Sequence, residues 1–305
     1  MAERRYNDFA AWLRGRYGCR VQKVSLDAGL TCPNRDGTVG TGGCIYCNER
    51  GSGTGAHGNG MPVRQQLEEG KRRLAKRYKA RKFIAYFQSF SNTYAPLSEL
   101  RNLYEEALSV EDVVGISVGT RPDCVSEPVL DLLQNKAERA MVWVEYGLQS
   151  ANDRTLLRIN RGHDAATFER AVRLTHGRGI WICAHIILGL PGEDRSDMLD
   201  TARWLGDLGV DGVKLHLLYV VSGTPMEALY RSGRYACLEK EEYAEIVCDV
   251  LERLPESMVI QRLTGDPHRS ELVAPAWAMD KAGTRASIHR ILEERNVRQG
   301  CRVHA

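Results

Sequence analysis

Six short apolar segments alternating with helical patterns, polar or glycine signals at the ends of those segments, and a tail with a different rhythm predict an α/β fold. The specific expectation is a partial (β/α)6 TIM-like barrel with a C-terminal α/β extension. A chain of 305 residues with 43% apolar and 27% charged content can bury one sizeable core without disulfides. The organisation expected is an N-terminal helical segment over 1–19, a barrel over 20–223 and an extension over 224–305 packed on the barrel.

The strands are expected at Val21 to Ser25, Lys82 to Gln88, Val113 to Val118, Met141 to Gly147, Ile180 to Leu188 and Gly212 to Leu218. Each is a short run rich in β-branched and aromatic residues, as parallel strands buried on both faces require. Between them, apolar residues recur at helical spacing in Pro62 to Lys79, Ser98 to Leu108, Glu127 to Lys136, Ala165 to Gly177 and Arg195 to Leu208, each long enough for a crossover. Several strand ends carry signals such as Gln88-Ser89, Gly119-Thr120-Arg121-Pro122, Gly147-Leu148-Gln149 and Gly189-Leu190-Pro191-Gly192-Glu193. Ligands of parallel α/β folds gather at these carboxyl ends. Beyond residue 224 the pattern gives helices at Glu227 to Ser232 and Lys240 to Arg253, one strand at Met258 to Leu263 and a closing helix from Thr284 to Asn296.

Net charge is +3, unevenly spread: residues 1–82 hold 17 Lys and Arg against 7 Asp and Glu, a balance of +10 that leaves −7 for the rest. The densest part, Lys71 to Lys82, reads as the end of a helix with Leu67, Leu74 and Tyr78 facing inward. Its cations are either a solvated face or a footprint on phosphates. Nine cysteines, six of them (Cys19, Cys124, Cys183, Cys237, Cys248, Cys301) scattered without paired spacing, point to a reducing cytoplasm. The N-terminus lacks a signal-peptide pattern, and no run of about 18 apolar residues occurs, so neither export nor membrane insertion is expected.

The remaining cysteines, Cys32, Cys44 and Cys47, sit in a glycine-rich stretch, the loop 30–60 that follows the first strand. Two metals suit them. Zinc would use the three thiolates with His57 as a fourth ligand, whereas an iron-sulfur cluster would use three and leave one iron open. Position favours the cluster, because the loop opens a series of six βα units where an active site belongs. Glycines 37, 40, 42, 43, 51, 53 and 55 let the backbone wrap a bulky group and offer it amide hydrogens.

With these residues in place the chain resembles the radical S-adenosylmethionine (SAM) enzymes, in the branch of the Elongator catalytic subunit and the oxygen-independent coproporphyrinogen oxidases. Within that branch it is most similar to the YhcC-like bacterial subgroup. The usual triplet has three residues between its first two cysteines; this chain has 11, as the Elongator-like and YhcC-like members do. The resemblance runs over about residues 20–275 and implies that Cys32, Cys44 and Cys47 bind a 4Fe-4S cluster that reductively cleaves S-adenosyl-L-methionine to a 5′-deoxyadenosyl radical. It also implies a reducing electron donor such as flavodoxin or ferredoxin.

By the same resemblance, Gln88 and Ser89 stand where the family holds the methionine amino group. Glu145-Tyr146-Gly147-Leu148-Gln149-Ser150 followed by Asn160-Arg161-Gly162-His163 looks like the branch signature. Gln149 is then a ribose contact and Arg161 a partner of the methionine carboxylate, which a guanidinium binds through two hydrogen bonds. His185 falls where coproporphyrinogen oxidases place an acidic ribose contact. Each has a plainer explanation. Glu145 and Gln149 suit a polar layer inside a barrel, Arg161 a helix cap or a pair with Asp164, and His185 a core histidine. Cys124 and Cys183 suit packing, and His163 an exposed loop.

The stretch Gln261 to Arg269 and the later Ala274-Pro275-Ala276-Trp277 resemble the subgroup's ending, which makes Arg262, Asp266 and His268 substrate-side candidates. An acyltransferase domain would have to follow residue 275, where 30 residues remain, and no second cluster can be assembled from the leftover cysteines by local spacing. The leading expectation is radical chemistry on RNA, with tRNA as substrate. The competing enzyme is a tailoring activity on a small metabolite or porphyrin-like molecule, and the competing non-enzyme a zinc-binding nucleic-acid protein.

Overall fold

The computed structural model describes residues 4–51 and 60–303. His57 and glycines 53 and 55 lie outside the described residues.

The parallel series forms as the apolar runs dictate. Strands β1 (Val21–Leu26), β2 (Lys82–Phe87), β3 (Val113–Thr120), β4 (Met141–Gln149), β5 (Trp181–Leu188) and β6 (Gly212–Leu217) pair in sequence order, all parallel. Between consecutive strands lie α2 (Val63–Tyr78), α3 (Leu97–Leu108), α4 (Glu127–Ala137), α6 (Ala165–Thr175) and α7 (Arg195–Asp207). The third and fourth strands run longer than the sequence pattern suggested. They continue into the glycine and glutamine positions at their ends, where the register of β4 shifts between Gly147 and Gln149.

The tail contributes to this sheet. Strand β8 (Val259–Arg262) pairs in parallel with β6, which makes seven strands in the order β1-β2-β3-β4-β5-β6-β8. The sheet is open between β1 and β8, where the Lys23 ammonium donates to Gln261 Oε1 at 2.6 Å. Further out, β7 (Val220–Val221) pairs antiparallel with β9 (Leu272–Ala274), while α8 (Pro225–Arg231), α9 (Lys240–Arg253) and α10 (Lys281–Glu294) follow the tail pattern. A short helix, α5 (Asp153–Arg158), precedes Arg161 and was not marked by any periodicity.

The N-terminal ends of the strands are closed by α1 (Phe9–Tyr17), which Asp8 caps by accepting from the Ala11 amide at 2.9 Å. Phe9, Leu13, Val21, Ile84, Trp143 and Val259 form a separate apolar cluster there, and Trp12 meets Trp143 and Trp181 edge-on at 5.7 and 5.0 Å. Among the described residues the plug covers the amino ends of the strands, and the carboxyl ends form the mouth. Helix α2 runs back toward the plug, so its exposed basic end stands away from the mouth: Arg81 donates its amide to the Arg20 carbonyl just before the two strands begin. Leu67 is buried and Tyr78 half-buried beneath Arg20 and Arg77, 5.2 and 5.0 Å from its ring.

Candidate functional site

The middle of the barrel is polar because alternate residues of its strands point inward. Glu145, fully buried on β4, receives Lys23 from β1, Lys214 from β6 and the Ser117 hydroxyl from β3, while His185 Nε2 on β5 lies 2.8 Å from its Oε2. Against the cost of burial, the two ammonium groups and His185 hold its carboxyl well below the ordinary range. Burial, with Lys214 adding to it, lowers His185 to about 4, so this imidazole is neutral. Glu145, Cys183 and His185 are the one set of three ligand atoms among the described residues within 4.8 Å of one another. Two lysines already occupy the Glu145 oxygens, so the set is not open to a metal.

Above this layer lies a cavity of about 210 Å³ at the carboxyl ends of the strands. One wall is the loop after β1, and Cys32, Cys44 and Cys47 all line it. A turn sets the last two together, the Cys47 amide donating to the Cys44 carbonyl at 2.9 Å. Gly43 lies at φ 75°, and a Cβ there would come within 2.9 Å of Arg35 Nε. Only glycine fits that position without displacing the arginine, whose Nη2 donates to the Cys47 carbonyl at 2.9 Å.

Residues 160–161 fasten the loop from the far side of the barrel. Asn160 Nδ2 donates to the Gly43 carbonyl at 2.8 Å, and Asn34 Nδ2 donates to the Asn160 carbonyl at 2.6 Å. Arg161, buried, donates from Nη2 to the Gly147 carbonyl at 2.5 Å and from Nη1 to Cys44 Sγ at 3.6 Å. A Cβ on Gly147 would sit 2.6 Å from that Nη2, so the close approach of strand and guanidinium needs a glycine. Arg161 therefore does not pair with Asp164, which instead caps α6 by accepting from the Thr167 amide.

Of the other positions named from the sequence, Gln88 and Gln149 line the cavity, the latter at φ 80° beside the register shift, as do Glu145 and His185 on its floor. Ser89 is buried and lies outside the lining. Arg262, Asp266 and His268 line the cavity as well. His163 is half-buried rather than exposed, its Nε2 3.2 Å from the Gly147 carbonyl, and burial with the Arg161 and Arg121 charges lowers it to about 3. Burial raises the Cys124 thiol to about 12 and the Cys183 thiol further, as packing residues would be. Sequence reasoning missed Lys23, Lys214 and His216; the lone basic residues inside the first and sixth apolar runs were the available signal, whereas Arg121 fell within a strand-end signal already named.

The donor set suits a sulfur-ligated cluster. Zinc–sulfur bonds of about 2.3 Å in a tetrahedron bring sulfurs to about 3.8 Å of one another, and the three cysteine sulfurs are not a set within 4.8 Å. An amide at 3.8 Å and a guanidinium at 3.6 Å are directed at Cys44 Sγ, and Arg161 Nε is buried without a partner. Donors around sulfur are how proteins tune such clusters.

Residues 35–205, more than half of the chain, match the model of the radical SAM superfamily, and residues 210–294 match the radical SAM C-terminal domain. The chain belongs to the radical SAM superfamily. As a radical SAM protein it is an enzyme whose family cofactors are a 4Fe-4S cluster and S-adenosyl-L-methionine, which sets aside the zinc-binding non-enzyme. It is 43% identical to the uncharacterized protein YtqA of Bacillus subtilis over 98% of this chain and 92% of that protein. With the protein YhcC of Escherichia coli K12 it shares 39% over 95% and 93%. It is 27% identical to a tRNA uridine(34) acetyltransferase of Dehalococcoides mccartyi over 65% of this chain and 43% of that one. Among solved structures, an archaeal Elp3 from Methanocaldococcus infernus superposes with a TM-score of 0.69 at 16% identity, over 92% of this chain and 64% of that one, which shows the fold. No helix among the described residues is long and apolar enough to cross a membrane.

Proposed function

We propose that this radical SAM enzyme removes a hydrogen atom from an RNA, with tRNA as the substrate. In this reading Cys32, Cys44 and Cys47 hold the cluster, and Gln88, Ser89, Gln149, Arg161 and His185 hold S-adenosylmethionine. The observation that carries it is one cavity at the strand ends in which the cysteine loop and Arg161 meet through the 3.6 Å contact with Cys44. When bound, cluster and S-adenosylmethionine supply reductive carbon–sulfur cleavage and with it the power to abstract hydrogen.

The chain's own residues bind, aim and exclude water. Arg161 answers a carboxylate, Gln149 and His185 answer hydroxyls, and Ser89, behind the lining, contributes backbone. Glu145 acts through His185, whose Nε2 it fixes, so that Nδ1 is left for a ligand. Radical SAM enzymes need a reductant, and a flavodoxin or ferredoxin is the donor proposed. The tRNA assignment is supported by the likeness to a tRNA uridine(34) acetyltransferase. A second reading, a small metabolite or porphyrin-like substrate, is favoured by the basic end of α2 standing away from the mouth.

Anaerobic reconstitution should give about four irons per chain and 5′-deoxyadenosine on reduction, and Cys44→Ala should abolish both. Retained cleavage in that variant refutes the cofactor assignment. Mass spectrometry of tRNA nucleosides from deletion and wild-type cells tests the substrate: a changed nucleoside supports tRNA, and an unchanged profile transfers the assignment to a small molecule.

A further inference from the structure

Four arginines line the cavity: Arg35, Arg121, Arg161 and Arg262. Two are already engaged, and the third, Arg161, serves the cofactor in the functional reading. Arg35 donates to the Cys47 and Asn48 carbonyls at 2.9 and 2.5 Å, Arg121 to both Asp123 oxygens at 2.9 and 2.7 Å, and Arg161 to the Gly147 carbonyl and Cys44 Sγ. Arg262 donates no hydrogen bond among the described residues, although only 27% of its side chain is exposed. Its one carboxylate neighbour is Asp266 at 4.0 Å, and the other oxygen of Asp266 is taken by Lys281.

The remaining carboxylates on the wall are equally committed. Glu145 is held by Lys23 and Lys214, and Glu271 by Arg50 at 2.8 Å and Asn48 Nδ2 at 2.9 Å. Beside Arg262 on the next strand stands His216, whose Nε2 is buried without a partner and whose ring lies 5.2 Å from that of His185. Burial, then the Arg262 charge, lowers His216 well below its ordinary value, so it is a neutral imidazole with hydrogen-bonding capacity to spare. A largely desolvated guanidinium whose carboxylate neighbour stands beyond hydrogen-bond distance, next to an unpartnered imidazole, is an arrangement that a ligand completes.

We propose that Arg262, with His216 beside it, forms a subsite for an oxyanion of the substrate, a carboxylate or a phosphate group. The guanidinium fork matches either anion through two parallel hydrogen bonds, and the neutral histidine adds a third without competing for charge. The proposal deepens the functional reading and rests on it, since it takes the cavity to be the substrate site. It restricts the substrate to molecules with an anionic group that reaches the β6–β8 side of the cavity.

The test is calorimetric titration of the reconstituted, SAM-loaded protein with acetate and, separately, with inorganic phosphate. Saturable binding of either anion is expected, weakened about tenfold or more in Arg262→Gln, less in His216→Ala and least in Arg262→Lys. Acetate binding alone identifies a carboxylate and phosphate binding alone a phosphate. No saturable binding, or equal affinity in Arg262→Gln, overturns the proposal. So does a loss of SAM affinity in Arg262→Gln with acetate competing against SAM, because Arg262 would then serve the cofactor's carboxylate. A Cys44→Ala protein that still cleaves SAM would sink the functional reading while leaving the anion titration readable, so the two failures are distinguishable.

Discussion

Replacing Glu145 with glutamine keeps the shape of the side chain and removes the one negative charge that two buried lysines share. Its side chain has no exposure, and those of Lys23 and Lys214 are 16% and 5% exposed, so water cannot take over the neutralisation. Deleting one member of such a buried set costs about 3–5 kcal/mol, because the charges left behind are unpaired in a medium that solvates them poorly. The expected destabilisation of Glu145→Gln is therefore about 4 kcal/mol, read from urea unfolding followed by tryptophan fluorescence. Trp143 and Trp181 lie on the strands that carry Glu145 and His185 and report directly on that end of the barrel. Adding Lys214→Met to Glu145→Gln should recover about 1–2 kcal/mol, since an apolar side chain replaces a buried, unpaired amine that burial already lowers to about 7. A Glu145→Gln protein within about 1 kcal/mol of wild type, or a double variant less stable than the single one, would refute the account of the floor as an ion-paired layer.

Leu13→Ala should cost about 2–5 kcal/mol, because Leu13 is buried in the plug beneath the strands; a urea midpoint equal to wild type would mean that α1 does not close the barrel. Gly43→Ala should lower iron occupancy after reconstitution and destabilise by about 1–2 kcal/mol for a left-handed residue, more if Arg35 cannot shift; full iron loading would show that the loop tolerates the change. Burial raises Glu193 from 4.5 to about 7 while the Ser150 hydroxyl donates to it. A carboxyl raised on folding contributes stability that is complete below about 4.5 and is lost as pH rises through about 7. At roughly 1.4 kcal/mol per pH unit, Glu193→Gln should be more stable than wild type by up to about 3 kcal/mol at pH 8 and by much less at pH 5. The same difference in Tm at both values would count against a protonated Glu193.

What the sequence by itself determined was the local material of the fold and the chemistry of one loop. Strand and helix positions followed from side-chain periodicity, which each segment carries regardless of its neighbours. The cysteine triplet was legible for the same reason, being three thiols within 16 consecutive residues, 32–47. Only the tertiary structure decided what meets across the barrel. Lys23, Glu145 and Lys214 are 122 and 69 positions apart and become one ion-paired layer because neighbouring strands point alternate residues at a common axis. In the sequence a single lysine within an apolar run does not say which residue it will meet. Strand β8 reads as part of a tail, yet its pairing with β6 sets Arg262 against the cavity, and the basic stretch that suggests a phosphate footprint comes to rest away from the mouth. Periodicity is a property of neighbouring residues, whereas the partners of a buried charge are chosen by how strands far apart in the chain close around it.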